Sequence, residues 1–116
     1  MGYSFNPIGK EKLEMLELMN YIDENITNGI NLSWAAKKAG MSESTFSRRF
    51  LAMNGISFKQ YTTEKKIQHA ITLLESTNKK TIDIALESGF DSVSGFYDAF
   101  KRNTGTTPSK FCESEI

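Results

Sequence analysis

The sequence predicts an all-α domain of about seven helices, arranged as two helix-turn-helix subdomains joined by one long linking helix. Three observations carry this expectation. Apolar residues recur at three- and four-residue steps along nearly the whole chain, as on the buried stripe of an amphipathic helix. No alternating apolar and polar stretch is long enough for a strand. A pattern of short helix, glycine turn and longer helix occurs twice. At 116 residues and 39% hydrophobic, the chain has the apolar material for one compact domain or two very small ones. Disorder of the whole chain is therefore not expected.

Each element follows from local signals. Leu13, Leu16, Met19, Ile22 and Ile26 form the apolar stripe of a first helix that Asn28-Gly29 stops. Asn31 suits the N-cap of a short helix, Leu32 to Ala39, closed by Gly40. Ser42 caps a third helix, in which Phe46, Phe50 and Met53 share one face until Asn54-Gly55. The longest helix runs from about Phe58 to Ser76 with Tyr61, Ile67, Ala70, Ile71 and Leu74 inward, and the polar turn Thr77-Asn78-Lys79-Lys80 follows. Ile82 to Ser88 reads as another short helix closed by Gly89. Ser92 caps a sixth, which bears Phe96 and Phe100 and ends at Asn103-Thr104-Gly105. Thr107-Pro108 opens a last turn holding Phe111. These elements divide the chain into a first subdomain over 8–56, the linking helix over 57–76 and a second subdomain over 77–116.

The internal repeat ties the two halves together. Ala36 and Gly40 recur 49 residues later as Ala85 and Gly89, and Phe46, Phe50 and Gly55 recur 50 residues later as Phe96, Phe100 and Gly105. One residue is therefore inserted after the second turn glycine. A small residue four before that glycine lets two helices cross closely, and the glycine permits the sharp reversal between them.

The 14 basic and 14 acidic residues cancel, which on net charge alone argues against a nucleic-acid binder. Their distribution argues otherwise. Residues 1–31 carry two basic and five acidic residues, a net −3; residues 32–80 carry nine and three, a net +6; residues 81–116 carry three and six, a net −3. A basic middle between acidic ends is the asymmetry that a basic binding surface requires.

Other function classes find no residues to support them. A single cysteine, Cys112, and a single histidine, His69, can form neither an internal disulfide nor a zinc cluster, and no cofactor is implied. His69 reads as structural or surface, and Cys112 as an inert thiol near the chain end. No run approaches the roughly 20 apolar residues of a membrane span, and no basic-then-apolar signal opens the chain. A soluble, cytoplasmic protein with no membrane partner is expected. Catalysis has no candidate, because no Ser-His-acid set, phosphate-cradling glycine loop or convergent carboxylate pair is present. Trp34, beside the inward stripe of the second helix, either packs locally or marks a protein contact, with local packing the favoured reading.

The stretches Leu32-Ser-Trp-Ala-Ala-Lys-Lys-Ala-Gly-Met-Ser-Glu-Ser-Thr-Phe-Ser-Arg-Arg-Phe50 and Ile82-Asp-Ile-Ala-Leu-Glu-Ser-Gly-Phe-Asp-Ser-Val-Ser-Gly-Phe-Tyr-Asp-Ala-Phe-Lys101 resemble the AraC/XylS family DNA-binding domain. So does the ending Gly105-Thr-Thr-Pro108 with Phe111; the resemblance covers roughly residues 12–112, and the second stretch is the family's most diagnostic signature. It implies a seven-helix, two-subdomain fold that binds double-stranded promoter DNA sequence-specifically and regulates transcription in bacteria, with RNA polymerase as a partner. The family often places a sensor or dimerisation domain ahead of this one, and residues 1–11 are too few to form it. A short stand-alone regulator or a piece of a longer one is expected, with no small-molecule site in this chain. A helix of about 19 residues is about 28 Å long. Successive major-groove segments lie about 34 Å apart, so a monomer is expected to suffice for bipartite recognition.

On the first recognition helix, the face opposite Phe46, Phe50 and Met53 carries Ser44, Ser47, Arg48, Leu51 and Ala52. Arg48 can bond O6 and N7 of guanine, and serines can donate or accept at either base type. The resemblance places base contacts at Ser44, Ser47 and Arg48. Arg49, beside the core face, reads as a phosphate contact or an intramolecular ion pair. On the second recognition helix the outward residues are Ser94, Tyr97 and Asp98, facing bases, and Lys101, facing the backbone. The family usually carries an arginine at the place of Asp98 and an aromatic residue at that of Gly95. An aspartate repels phosphate and serves only by accepting from a cytosine amino group or by orienting Lys101. Gly95 weakens the helix start by up to about 1 kcal/mol. The first unit is therefore expected to supply most of the affinity. Phosphate contacts are expected at the helix starts near Asn31, Ser57 and Thr107, and from Lys37, Lys38, Lys59 and Lys66. Gly95, Asp98 and the zero net charge also fit a protein-interaction module of the same fold that has lost DNA binding and acts as an anti-activator.

Overall fold

The computed structural model describes the backbone of residues 7–114 and the side chains of residues 14–111. Cys112 and Leu13 thus lie outside the described side chains. Seven helices follow one another: α1 Pro7–Glu24, α2 Leu32–Ala39, α3 Glu43–Asn54, α4 Phe58–Ser76, α5 Thr81–Glu87, α6 Val93–Thr104 and α7 Pro108–Ser114. Among the described residues there is no strand.

The helix starts are set by side-chain caps. Asn31, Ser42 and Ser92 all hold extended backbone, and their side-chain oxygens accept the N–H of Trp34 at 2.9 Å, Thr45 at 3.2 Å and Gly95 at 3.1 Å. Each therefore satisfies one of the amides that a helix start leaves without a partner. Lys80, before α5, offers no such oxygen, and Asp83 in the first turn supplies the favourable negative charge instead.

The two helix turns are built alike. Gly40 N–H donates to Lys37 O at 3.1 Å and Met41 N–H to Ala36 O at 3.0 Å. Gly89 N–H donates to Leu86 O and Phe90 N–H to Ala85 O, both at 3.1 Å. This paired closure demands a left-handed residue, and Gly40 and Gly89 supply it at φ +69° and +95°. Met41 thus matches Phe90 and Ser42 matches Ser92, which identifies the inserted residue of the second copy as Asp91.

The chain packs as two compact units. One joins Ile30–Lys59 with the N-terminal segment through Asn25; the other joins the chain from Gln60 onward with Ile26–Gly29. The sequence-based division sets 57–76 apart as a linker, whereas most of α4 belongs to the second unit because Ile67 and Ala70 are buried in its core. The first unit is centred on Phe46, Phe50 and Phe58, whose ring centroids lie 5.5–5.7 Å apart, with Met15, Ile22, Ala35 and Ala36 also buried. In the second, Phe96 sits 5.2 Å from Phe90 and 5.6 Å from Phe100, and Phe100 sits 5.5 Å from Phe111.

Three details differ from the sequence reading. The stripe of α1 is rotated: Met15 and Ile22, two turns apart, are buried, while Leu16 is 49% exposed. Apolar residues at 15, 16, 18, 19, 21 and 22 span more than half the helix circumference, so periodicity alone does not select the inner side. The helix also ends at Glu24, and Ile26 is buried within the turn that follows it. Met53 is 39% exposed; it lines a pocket instead of joining Phe46 and Phe50 in the core.

Ser88 is fully buried, and its hydroxyl has no hydrogen-bond partner among the described residues. Its counterpart in the first copy is Ala39. Stranding a buried polar group costs about 1–3 kcal/mol. Ser88→Ala is therefore expected to leave stability unchanged or raise it by about 1 kcal/mol, read by urea denaturation. A clear loss of stability would show that the hydroxyl has a partner after all.

Candidate nucleic-acid interface

The first turn, α2 into α3, fixes which side of α3 faces outward. With Phe46 and Phe50 fully buried against Phe58, the opposite side presents Ser44, Arg48, Leu51 and Ala52, all exposed, with Ser47 half-buried among them. Ser42 Oγ donates to Thr45 Oγ1 at 3.0 Å, so the start of the helix is held on both sides of Ser44. Arg48 makes no ion pair or hydrogen bond among the described residues, and neither does Arg49. The alternative of an intramolecular ion pair for Arg49 therefore finds no partner there. Thr45, Arg48, Arg49 and Ala52 line a shallow open groove along the helix.

The sequence-predicted cations separate into distinct environments. Lys37 is exposed and has no partner among the described residues. Lys38 is also exposed but engaged: its ammonium lies 4.8 Å from the Tyr21 ring centroid and 5.8 Å from that of Trp34, and it donates to Tyr21 Oη at 3.4 Å. Trp34 meets Tyr21 edge-on with centroids 5.5 Å apart, so it packs locally and is half-buried. Lys66 is half-buried, its ammonium 5.6 Å from the Phe90 ring centroid. Burial lowers its pKa below the ordinary 10.5, and the nearby Asp91 carboxylate partly opposes that shift. Lys59 and Ser57 each make an interaction within the chain. Asn31 uses its side-chain oxygen on Trp34 N–H, and Thr107 uses its hydroxyl on Lys110 N–H at 3.3 Å.

On α6, Ser94, Tyr97, Asp98 and Lys101 are all exposed on the side away from Phe96 and Phe100. Asp98 and Lys101 stand one turn apart without forming an ion pair among the described residues. A Cβ at Gly95 would come within 3.1 Å of Ser92 Oγ, the atom that caps this helix. A side chain there requires the serine to give by a few tenths of an ångström, as Thr45, the equivalent residue of α3, coexists with the Ser42 cap.

Sequence reasoning missed the Tyr21–Trp34–Lys38 cluster, whose members are separated along the chain. The only trace was an aromatic pair placed near a lysine on amphipathic helices. It also missed a pocket of about 270 Å³ in the first unit, where Met15, Leu18, Met41 and Met53 lie beside Glu14, Lys38 and Arg49. His69 is half-buried in α4, and no cluster of metal-ligating side chains occurs among the described residues. No described helix is long and apolar enough to cross a membrane.

Comparison with known proteins agrees with this geometry. A family model described as a helix-turn-helix domain matches residues 35–114. The virulence regulon transcriptional activator VirF of Yersinia enterocolitica is 37% identical over 93 residues, covering 80% of this chain and 34% of VirF. This chain thus spans about a third of the length of that curated relative. The DNA-binding domain of AdpA, a global transcriptional factor solved in complex with a target DNA, superposes with a TM-score of 0.80 at 25% identity, covering 85% of this chain and 89% of that one. A transcriptional regulator with an AraC-type DNA-binding domain from Chromobacterium violaceum gives a TM-score of 0.74 at 26% identity, with 90% and 92% covered.

Proposed function

This chain belongs to the AraC/XylS-type helix-turn-helix family, and from that premise we propose that it reads double-stranded promoter DNA as part of a bacterial transcription regulator, with α3 as its principal recognition helix. One observation carries the reading: Arg48 projects from α3 as an exposed guanidinium without a partner among the described residues. Its inner-face neighbours Phe46 and Phe50 fix the helix, and the segment 32–80 around it bears a net +6 charge. Ser44, Ser47 and Arg48 read base edges in the major groove. Arg49 and Lys37 contact phosphates, as do the amides at the starts of α2, α4 and α7 near Asn31, Ser57 and Thr107. Lys59, Lys66 and Lys101 contribute further positive charge. Ser94, Tyr97 and Asp98 on α6 read a second segment weakly. AdpA, a structural neighbour, is solved on its target DNA, which supports this assignment. RNA polymerase is the protein partner that fits a transcriptional role. Two helix-turn-helix units in one chain leave a monomer sufficient for bipartite reading, and the reading needs no small molecule.

A second reading has its own support. Asp98 stands where the first copy has Arg48. On α5, Ile82 and Leu86 are exposed where α2 carries Ser33 and Lys37. These substitutions favour a protein-interaction module of the same fold.

A salt titration of duplex binding separates the two. A DNA reader loses affinity with a log–log slope of about −0.9 per phosphate neutralised. Lys37→Ala is expected to reduce the magnitude of that slope by about 0.9. Lys38→Ala is expected to change it less, because its ammonium must first leave the faces of Tyr21 and Trp34. Absence of duplex binding at low salt would favour the interaction module.

A further inference from the structure

Among the large apolar side chains exposed in the first unit, Leu51 stands in a distinctive place. It is 50% exposed on α3, one turn beyond Ser47 and Arg48 and two turns beyond Ser44, in the same outward stripe. An isolated exposed leucine is ordinary on a protein surface, so its meaning comes from that placement. The fold does not ask for an apolar side chain there. The repeat places Lys101 at the equivalent position of α6, where it is exposed on a helix of the same length. Nor is Leu51 part of the methionine-lined pocket: Met53, two residues on, is about 200° around the helix from it.

Resting on the reading of α3 as a recognition helix, we infer that Leu51 is a further specificity-determining residue and that it reads the C5-methyl group of a thymine. The major groove displays one apolar feature on the base edges, the thymine methyl, and an aliphatic side chain is its natural contact. Leu51 lies about 10 Å along the helix axis from Ser44, the span of about three base-pair steps. The stripe thus offers two serines, a guanidinium and an isobutyl group in sequence. Its target combines a guanine, bonded by Arg48, with a thymine no more than about three base pairs away. Ala52, exposed beside Leu51, leaves room for the methyl.

Removal of the methyl alone provides the test. Duplexes selected from random DNA by the full chain are remade with each thymine in turn replaced by deoxyuridine, which pairs identically but lacks the methyl. One such replacement within about three base pairs of the guanine is expected to weaken binding by the wild-type chain about fourfold, the value of one buried methyl-sized group. Leu51→Ala is expected to bind the original duplex about fourfold less tightly and to be indifferent to that replacement. Its thermal unfolding should match wild type, because the side chain is half exposed. Deoxyuridine replacements that are all neutral overturn the inference, as does a penalty that persists unchanged in Leu51→Ala or a selected site without a thymine in that window. If Arg48→Ala still relaxes the guanine preference in those cases, the DNA-reading function stands without a role for Leu51. If no duplex is selected at all, both fall together.

Discussion

Replacing Arg48 with alanine is expected to weaken binding to a selected duplex by about 10- to 100-fold and to relax the preference at one guanine, whereas Asp98→Ala leaves affinity unchanged or raises it. The asymmetry follows from where the charges sit. Arg48 is exposed and without a partner among the described residues, so little holds it back from a bidentate contact with guanine, worth about 1–3 kcal/mol. Asp98 occupies the corresponding position of α6, where its carboxylate repels phosphate and offers at best an acceptor to a base amino group. Lys101, one turn on, does not neutralise it through an ion pair among the described residues. The surrounding segments reinforce the difference, +6 over residues 32–80 and −3 over 81–116. Fluorescence anisotropy on one duplex, run with both variants under one salt condition, measures the two effects directly. Equal weakening by both substitutions would contradict a reading dominated by the first unit.

What the sequence made legible, and what it hid, divides along physical lines. Caps and turn glycines act over three or four residues, and Asn31, Ser42 and Ser92 mark the starts of α2, α3 and α6 as expected. The outward residues of α3 were legible for the same reason, because two phenylalanines one turn apart leave little freedom in the rotation of that helix. The rotation of α1 was not legible: its apolar residues span more than half its circumference, and only packing places Met15 inside and Leu16 outside. The placement of the long lysine side chains was also hidden. Lys37 and Lys38 are neighbours in sequence and both exposed, yet Lys38 lies over Tyr21, 17 residues away, while Lys37 has no partner among the described residues. Lys66 was expected at a phosphate for its charge, and the structure sets its ammonium near Phe90 and Asp91. In each case the deciding partner is distant along the chain. The repeat predicted a single inserted residue, and only the hydrogen bonds of the two turns identified it as Asp91.

Gly89→Ala is expected to destabilise the protein far more than Gly40→Ala, although the repeat makes the two glycines equivalent. Both hold left-handed backbone, which costs an alanine about 1–2 kcal/mol at either site. At Gly40 the added methyl would enter open space, with nothing within 4 Å. At Gly89 it would lie 3.0 Å from the carbonyl oxygen of Ile26, 3.2 Å from Thr27 Cα and 3.3 Å from Lys66 Cε. Lys66 can swing aside, but the other two atoms are backbone, in the Ile26–Gly29 segment that packs with the second unit. Crowding of that kind adds about 1–3 kcal/mol, for a total near 3 kcal/mol. At roughly 4 °C of melting temperature per kcal/mol, Gly89→Ala should melt more than 10 °C below wild type and Gly40→Ala about 4–8 °C below. Denaturation followed by circular dichroism measures both shifts, and equal losses would mean that the close approach of residues 26–27 to the second turn does not constrain the fold. The difference also predicts which residues each turn tolerates: Gly40→Asn should be mild, because asparagine accepts the left-handed region and has room there, whereas Gly89→Asn should be as damaging as alanine.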